Sequence, residues 1–220
     1  MSDITKVGRY FTRSATAFDS LYSEKAQSSL MRLVNRKFRR DIHERFRLTL
    51  EHVDKYSLKT VLDVGCGSGR YELGLTELGV QRVVGIDVSP RMIDLAKCSV
   101  QAVAHFPTNL EFVKQDFMDF RTDETFDVVL AMGFFDYVQN PASALQLMCA
   151  LARHSVVASF PSISWYRTPI RRARYFLKRC PVYFYRRTEI DSLARDAGFT
   201  RNETMKIDGA GQDYVVLFFK

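Results

Sequence analysis

The feature that most restricts the fold of this chain is a group of three glycines between an apolar run and a helical pattern. Residues 59–64 form a short, mostly apolar run of the kind found in buried strands. Gly65, Gly67 and Gly69 follow at alternate positions, and residues 70–78 carry leucines at helical spacing. Glycine is needed where the backbone takes positive φ or approaches a ligand closely. The pattern predicts a tight strand-to-helix turn at a ligand site; a glycine-rich turn without a ligand is the alternative.

Apolar runs and helical patterns alternate through most of the chain. Further strand-like runs occur at 82–87, 110–113, 126–131 and 155–160. Such runs, separated by helical segments, predict a parallel sheet covered by helices on both faces.

The C-terminal part does not continue this alternation of strand-like and helical segments. Residues 188–191 form a capping-box pattern that opens a short helix ending at Gly198. Two extended runs follow, 200–207 and 214–219, and residues 208–213 join them. A loop this short permits only an antiparallel hairpin.

The formal net charge of +7 is concentrated in two segments of this 220-residue chain. Residues 30–50 hold seven basic and two acidic side chains, and residues 162–188 hold eight basic and no acidic ones. We therefore expect a local basic surface. A uniformly basic nucleic-acid-binding protein is not expected.

The cysteines and the hydropathy pattern exclude several other classes. Four cysteines lie far apart, without a C-x-x-C pair or a histidine at metal-ligand spacing. Neither a disulfide framework nor a metal site is expected. No apolar run reaches the roughly 18 residues that suggest a membrane span, and the N-terminal segment is polar. The expectation is a reduced, cytoplasmic protein.

Two motifs carry a family resemblance. A dinucleotide fingerprint would place a glycine at position 70, where this chain has Arg70, and Asp63 would repel a phosphate. The stretches VLDVGCGSGRYELGL and VVGIDVSPRMIDLAK instead resemble the first two motifs of class I S-adenosylmethionine-dependent methyltransferases. The resemblance covers about residues 55–160 and extends more weakly to the C-terminal hairpin. It implies an α/β, Rossmann-like three-layer sandwich with a seven-strand, mostly parallel sheet, and S-adenosyl-L-methionine as cofactor.

The resemblance also implies three groups of cofactor contacts at the C-terminal ends of the strands. The group at the amino-acid portion of the cofactor is Asp63, Gly65, Cys66, Gly67 and Gly69. The group at the ribose and adenine is Asp87, Val88, Asp116 and Phe117, although Asp116 and its neighbour Asp119 could also serve as loop caps. The group lining the sulfonium is Met132 and Gly133.

The segment after the fourth strand holds candidates for contact with the methyl acceptor. Tyr137 stands where many small-molecule relatives carry a histidine, and Asp136 precedes it. We interpret both as candidate catalytic residues, with capping of the next helix as the alternative. A general base is needed only for a hydroxyl or amine of high pKa. The four histidines are interpreted as surface or packing residues.

Two segments are expected to cover the site. Residues 1–54 form an N-terminal helical lid region, and the methyltransferase domain, 55–220, contains a basic lid insertion at about 162–187. In the insertion, Thr168 caps a helix whose apolar stripe is Ile170, Ala173 and Leu177. The N-terminal lid would use these side chains: Tyr10, Phe11, Phe18, Leu21 and Tyr22. Both segments loosely resemble magnesium-protoporphyrin O-methyltransferases.

The resemblance implies a methyltransferase that acts on a small or lipid-like molecule by in-line displacement. The basic insertion indicates an anionic or aromatic acceptor, or peripheral contact with an anionic membrane or carrier surface. A solvated basic face is the alternative. Two other functions stay open: an enzyme that uses another carbon of the same cofactor, and a non-catalytic cofactor-binding partner subunit.

Overall fold

A computed structural model describes residues 3–19, 29–101, 109–165, 167–207 and 213–220. The helices in these ranges are α1 (Asp3–Asp19), α2 (Ser29–Lys55), α3 (Arg70–Glu77), α4 (Pro90–Gln101), α5 (Pro141–Leu151), α6 (Arg167–Leu177) and α7 (Arg187–Asp196). The strands are β1 (Thr60–Val64), β2 (Arg82–Asp87), β3 (Leu110–Lys114), β4 (Phe126–Ala131), β5 (Ala152–Phe160), β6 (Arg201–Lys206) and β7 (Tyr214–Phe219).

The seven strands form one mixed sheet in the order β3-β2-β1-β4-β5-β7-β6. The first five are parallel, and β7 runs antiparallel to both β5 and β6. This confirms the predicted Rossmann-like sheet with its C-terminal antiparallel pair. Strand order reverses between β1 and β4, and open α/β sheets bind ligands at that point.

Alternate strand residues pack into separate cores on the two faces of the sheet. Leu62 belongs to the cluster that includes α5 and α7, whereas its neighbour Val61 belongs to the cluster that includes α2 and α3. Because side chains alternate across a strand, one apolar run serves both layers. The three-layer arrangement follows directly from these uninterrupted apolar strands.

The second half of α2 is part of the central core. Phe46 and Leu50 pack so closely on α3 that a Cβ at Gly74 would lie 2.6 Å from Phe46 Cζ and 2.8 Å from Leu50 Cδ1. Val53 is also buried. The described contacts therefore place this part of α2 in the core, and both the lid role of the N-terminal region and the division at residues 54 and 55 stay predictions.

The basic insertion forms α6, but its apolar stripe faces outward. Ile170 and Leu177 are 68% and 82% exposed, so this stripe does not pack against the described core. The helix begins at Arg167, one residue before its predicted cap Thr168. Its inward face instead carries Thr168, Arg171 and Tyr175, whose spacing of three and four residues defines one side of a helix. Polar contacts at the site, described below, determine this orientation.

The N-terminus of α7 also differs from the prediction. The helix begins at Arg187, and the Arg186 amide donates to the Glu189 carboxylate at 2.7 Å. The predicted capping box over residues 188–191 is therefore wrong. Glu189 makes the reciprocal contact because the helix starts earlier than the Thr188 signal suggested.

Some expectations lie outside the described part of the chain: the Phe18 side chain, Leu21, Tyr22, Tyr166 and the hairpin loop at 208–212. Among the described residues, no helix is long and apolar enough to cross a bilayer. The four cysteines are free thiols, and no group of candidate metal ligands occurs in the described ranges.

A buried histidine at the base of the sheet predicts a pH effect on stability. His52 Nε2 lies 2.8 Å from Ser155 Oγ, and burial, then His154 and Lys55, lower the His52 pKa to about 4. Since the unfolded chain takes up this proton near its usual pKa of about 6.5, stability falls as pH drops through 6.5 towards 4. We expect His52 to account for a loss of about 2 kcal/mol between pH 7.5 and pH 5.

Urea unfolding of the wild type and His52→Gln at both pH values tests this contribution. Glutamine can keep the hydrogen bond to Ser155, and other titrating groups largely cancel in the difference between the two proteins. The wild type is expected to lose more stability than the variant. Equal losses would show that His52 does not titrate as its burial predicts.

Candidate active site

The turn after β1 adopts the backbone conformation that its glycines predict. Gly65, Gly67 and Gly69 have φ values of 78°, 56° and 81°, in the left-handed region. The amides of Gly65 and Cys66 donate to the Ile86 carbonyl of β2, at 2.7 and 3.0 Å. A Cβ at Gly67 would meet none of the described atoms within 4 Å. The turn is tied to β2 and is open at Gly67.

Gly69 is used differently from Gly67. A Cβ at Gly69 would lie 3.1 Å from both Cα and Cβ of Ala96 on α4. The missing side chain therefore permits close packing of α3 and α4. Its predicted contact with the cofactor stays a prediction.

Asp87 lies at the end of β2, against the glycine turn. Its Oδ2 accepts from the Gly67 amide at 3.1 Å, and its Oδ1 accepts from the Ser89 amide at 2.8 Å. Burial raises the pKa of Asp87 to about 6, against the opposing effect of these two amides. These two hydrogen bonds thus fix the carboxylate at the turn.

Asp63 at the end of β1 faces a second buried carboxyl, Glu72 of α3. The two residues are 1% and 0% exposed. Burial, followed by the charge of Asp87, raises the pKa of Asp63 to about 7. Burial, followed by Asp63, raises the pKa of Glu72 well above its usual range.

Glu72 is a site residue that sequence reasoning missed. It lies three positions before the buried Leu75, so the signal was an acid on the buried face of a helix. A Cβ at Gly85 would lie 2.6 Å from Glu72 Oε1, so this carboxyl packs directly against the backbone of β2.

The first residues of α1 cover the segment after β2. A Cβ at Gly8 would lie 3.6 Å from Val88 Cγ1, and Thr12 Oγ1 lies 3.0 Å from Ser89 Oγ. Val88 is the predicted contact of the adenine ring. This arrangement supports the predicted lid role of α1, because a ligand against Val88 would lie beneath this helix.

The two predicted adenine contacts after β3 have different environments. Asp116 Oδ1 accepts from the Met118 amide at 3.0 Å and caps a short 3-10 turn, which leaves Oδ2 for another donor. Phe117 is buried and packs edge-to-face on Phe134, with ring centroids 5.9 Å apart. Phe117 thus supports the site from the core, and its direct contact with adenine stays a prediction.

The turn after β4 provides a second open position. Gly133 has a φ of 77°, and a Cβ there would meet none of the described atoms within 4 Å. Its amide donates to Ser159 Oγ at 2.8 Å, and half-buried Met132 packs against the core beneath α2 and α3. Phe134 lies over Gly65, 3.5 Å from the position of a Cβ there. The glycine turn and the β4 turn therefore adjoin.

Four aromatic rings gather beside the β4 turn. Tyr137 Oη lies 3.1 Å from Tyr175 Oη of α6, and Phe11 of α1 packs edge-to-face on Tyr137 at 5.1 Å between ring centroids. Tyr10 packs on Tyr175 at 5.8 Å. Burial raises the pKa of Tyr175 to about 12, and burial, then Tyr175 and Asp136, raises that of Tyr137 well above its usual range. Both phenols are therefore protonated at neutral pH.

A buried ion-pair network lies below the rings. Arg171 of α6 pairs with Asp136, and Arg45 of α2 pairs with Asp213. Arg171 Nη1 also lies 3.6 Å from Asp213 Oδ1, and Arg45 Nη1 donates to Ser159 Oγ at 3.3 Å. Two arginines thus balance two aspartates. Only Asp136 of this network is predicted from the sequence as a site residue, since nothing local to the other residues marks their pairing.

Asp136 itself is only partly satisfied by this network. Its Oδ1 is bound to Arg171, whereas its Oδ2 is buried and has no hydrogen-bond partner among the described residues. Burial raises the pKa of Asp136, and the nearby arginines oppose that shift. A hydroxyl or amine that reached this oxygen would satisfy it.

The residues present fit S-adenosylmethionine. Asp63 Oδ2 is buried and lacks a hydrogen-bond partner in the described ranges, and a cofactor ammonium would satisfy it. Asp87 is held at the same turn by two backbone amides, and its contact with ribose hydroxyls stays a prediction. The open positions at Gly67 and Gly133 leave room for ligand against the backbone.

Comparison with known proteins decides the family. A family model described as a methyltransferase domain matches residues 55–176. The chain belongs to this methyltransferase family. The chain has the seven-strand sheet, the glycine turn after β1 and the acids at the ends of β1 and β2. It is therefore a class I enzyme that uses S-adenosylmethionine.

Individual relatives agree with this classification. The methyltransferase is 26% identical over 202 residues to a ubiquinone biosynthesis O-methyltransferase of Nitrosospira multiformis, covering 80% of this chain and 84% of that protein. Magnesium protoporphyrin IX methyltransferase of Synechocystis, solved with S-adenosylhomocysteine, has a TM-score of 0.79 at 18% identity and 98% coverage of both chains. The N-methyltransferase NodS of Bradyrhizobium japonicum has a TM-score of 0.62 at 21% identity, with 91% of this chain and 96% of that chain covered. The two structural likenesses show the shared fold.

Proposed function

We propose that this methyltransferase transfers a methyl group to an oxygen atom of an aromatic small molecule. The observation that carries the proposal is the group of rings beside Gly133: Tyr10, Phe11, Tyr137 and Tyr175. Aromatic side chains favour stacked or edge-to-face contact with planar ligands. The names of two relatives, one for ubiquinone biosynthesis and one for magnesium protoporphyrin IX, support a small-molecule acceptor. The first name also supports oxygen as the methylated atom.

Bound S-adenosylmethionine would supply a methyl group already activated on a sulfonium sulfur, so the protein mainly aligns the acceptor and excludes water. In this proposal Asp63, Asp87 and Asp116 hold the cofactor. The free Oδ2 of Asp136 accepts the proton of the acceptor hydroxyl, and the Tyr137 phenol donates a hydrogen bond that orients the acceptor.

Product analysis tests this function. The protein, incubated with S-adenosylmethionine and a set of catechols, phenols and porphyrin carboxylates, is expected to release S-adenosylhomocysteine with at least one of them. Release of methylthioadenosine would instead indicate transfer of another carbon of the cofactor. Cofactor binding without turnover of any acceptor would favour a non-catalytic partner subunit.

The positive charge of the insertion serves a different purpose in this proposal. Arg171 is neutralised within the buried network, whereas Arg172 and Arg174 lie on the exposed side of α6. Beside them, Trp165 and Phe176 are 88% and 81% exposed. Exposed aromatic and apolar side chains interleaved with arginines fit the interface of an anionic membrane. We therefore propose that α6 docks on an anionic lipid surface, from which an amphiphilic acceptor could enter.

Vesicle sedimentation checks the docking surface. We expect the protein to bind phosphatidylserine-containing vesicles and to bind pure phosphatidylcholine weakly. The triple variant Trp165→Ser/Phe176→Ser/Leu177→Ser is expected to bind at least about tenfold less, because each side chain loses apolar burial. Ile4→Ser, at an exposed apolar position of α1, is the matched control and keeps wild-type binding.

The affinity for S-adenosylmethionine should be equal in these variants, which shows that they are folded. Equal vesicle binding by the wild type and the triple variant would disprove the proposed surface. Absence of binding to vesicles of any composition would disprove a membrane as the docking partner of α6. A carrier protein would then be the candidate partner.

A further inference from the structure

Two carboxyl groups share one buried space beneath the glycine turn. Asp63 Oδ2 and both oxygens of Glu72 are shielded from solvent and have no donor partner among the described residues. No salt bridge reaches either residue in the described ranges. Buried polar oxygens are rarely left in this state, and two contacting carboxylates repel each other strongly.

A single proton resolves this arrangement. The Asp63 and Glu72 side chains are within hydrogen-bonding reach of each other. If Glu72 carries the proton, it donates to Asp63 and both groups gain a partner. The pair then carries one negative charge instead of two, which lowers the cost of burying it.

The surroundings of the pair offer no positive charge that would replace this proton. Asp87 from β2 makes a further negative charge on the pair less favourable, and the Cys66 thiol, whose pKa burial and these carboxyls raise well above its usual range, is neutral. On the β3 side the neighbour is the Phe112 ring, which with Glu72 Oε1 surrounds the Cβ position of Gly85.

Two further helices pack close to the pair. On the α2 side, Phe46 and Leu50 cover α3 at Gly74. Arg70, at the start of α3, is directed to His43 and lies over the Phe46 ring. From α4, Ala96 lies 3.1 Å from the position of a Cβ at Gly69. The guanidinium of Arg70 is therefore directed towards α2.

We propose that Glu72 is a positioning residue that stores a proton on the Asp63–Glu72 pair and releases it when the cationic cofactor binds. The inference rests on the proposed placement of the cofactor ammonium at Asp63. Before binding, the proton limits the buried charge. After binding, the ammonium balances the buried negative charge in place of the proton. The fully ionised pair then binds the ammonium more strongly than the protonated pair would. Glu72 thereby couples cofactor binding to proton release.

The sign of the pH dependence follows from this exchange. In the free protein the pair holds the proton because burial raises the pKa of both carboxyls, to about 7 for Asp63 and well above the usual range for Glu72, and the pair must lose that proton to bind the cofactor. The affinity for S-adenosylmethionine therefore rises with pH, by up to about tenfold per unit between pH 5.5 and pH 7. In this range the α-ammonium of the cofactor remains charged, since such groups titrate at about 7.7–8.0.

Calorimetry measures the released proton directly. S-adenosylmethionine is titrated at pH 6.5 in phosphate and in imidazole buffers, whose ionisation enthalpies differ, and the difference in apparent binding enthalpy gives the proton count. We expect about one proton per wild-type molecule. Glu72→Gln keeps a donor for Asp63 but removes the stored proton, so it is expected to release less than half as many and to show a flatter pH profile of Kd. Glu77→Gln, at an exposed position of the same helix, is the matched control and behaves like the wild type.

Three results would contradict the proton release, the role of Glu72 or the placement of the cofactor, and they can be told apart. Wild-type binding without proton release would disprove the inference and needs no variant. Proton release by Glu72→Gln equal to that of the wild type would remove Glu72 from the coupling. Failure of the folded wild type to bind S-adenosylmethionine at any pH would disprove the cofactor placement itself.

Discussion

Replacing Asp136 with alanine is expected to lower the free energy of unfolding by about 3–5 kcal/mol, the range for removing one partner of a buried ion pair. Arg171 would lose its main counter-ion while its guanidinium stays mostly enclosed between α6 and the β4 turn. Asp213 lies farther from Arg171, at 3.6 Å, and is already paired with Arg45. Urea unfolding with a linear extrapolation measures the loss.

Two controls define the origin of that loss. Glu124→Ala removes an exposed carboxylate that lies 3.3 Å from Arg82, and it is expected to cost no more than about 1 kcal/mol. Adding Arg171→Met to Asp136→Ala removes the unbalanced charge and is expected to recover about 1 kcal/mol or more. A cost for Asp136→Ala equal to that of Glu124→Ala would show that the network does not hold α6.

Replacing Asp87 with alanine is expected to weaken binding of S-adenosylmethionine by about 1.5–3 kcal/mol, or about 10- to 150-fold in Kd. The variant loses the acceptor for the ribose hydroxyls and also the hydrogen bond that holds the Gly67 amide. Calorimetry at pH 7.5, where Asp87 is ionised given its pKa of about 6, gives the affinity.

The matched control is Asp94→Ala. Asp94 lies on the exposed side of α4, a few residues beyond the proposed site, so its removal is expected to leave Kd unchanged. Unchanged affinity in both variants would show that the cofactor does not lie against Asp87.

The sheet and the cofactor turn could be predicted because their signals are local. Apolar runs with side chains alternating to both faces predict buried parallel strands. Gly65 and Gly67 have positive φ, a conformation that the turn requires and that the residue type itself reveals. Asp63 lies one residue before the end of β1 and Asp87 is the last residue of β2, so their placement depends only on where those strands stop.

The predictions that failed concern the ends of helices, and the sequence pattern also left the orientation of α6 open. The spacing of Ile170, Ala173 and Leu177 describes an apolar side of α6 but not what that side faces. Arg171 on the opposite side is drawn inward by Asp136 and Asp213, which come from distant parts of the chain. The start of α7 differed because Arg186 and Glu189 formed the cap instead of the expected residues.

The sequence by itself determined the class I sheet, the glycine turn and the acids at the strand ends, since each depends on residues close together in the chain. Only the tertiary structure decided that Glu72 meets Asp63, that Arg45 pairs with Asp213, and that the apolar side of α6 faces outward. Those contacts join residues from separate elements, and burial, which determines both their charge states and their partners, exists only once the elements have packed.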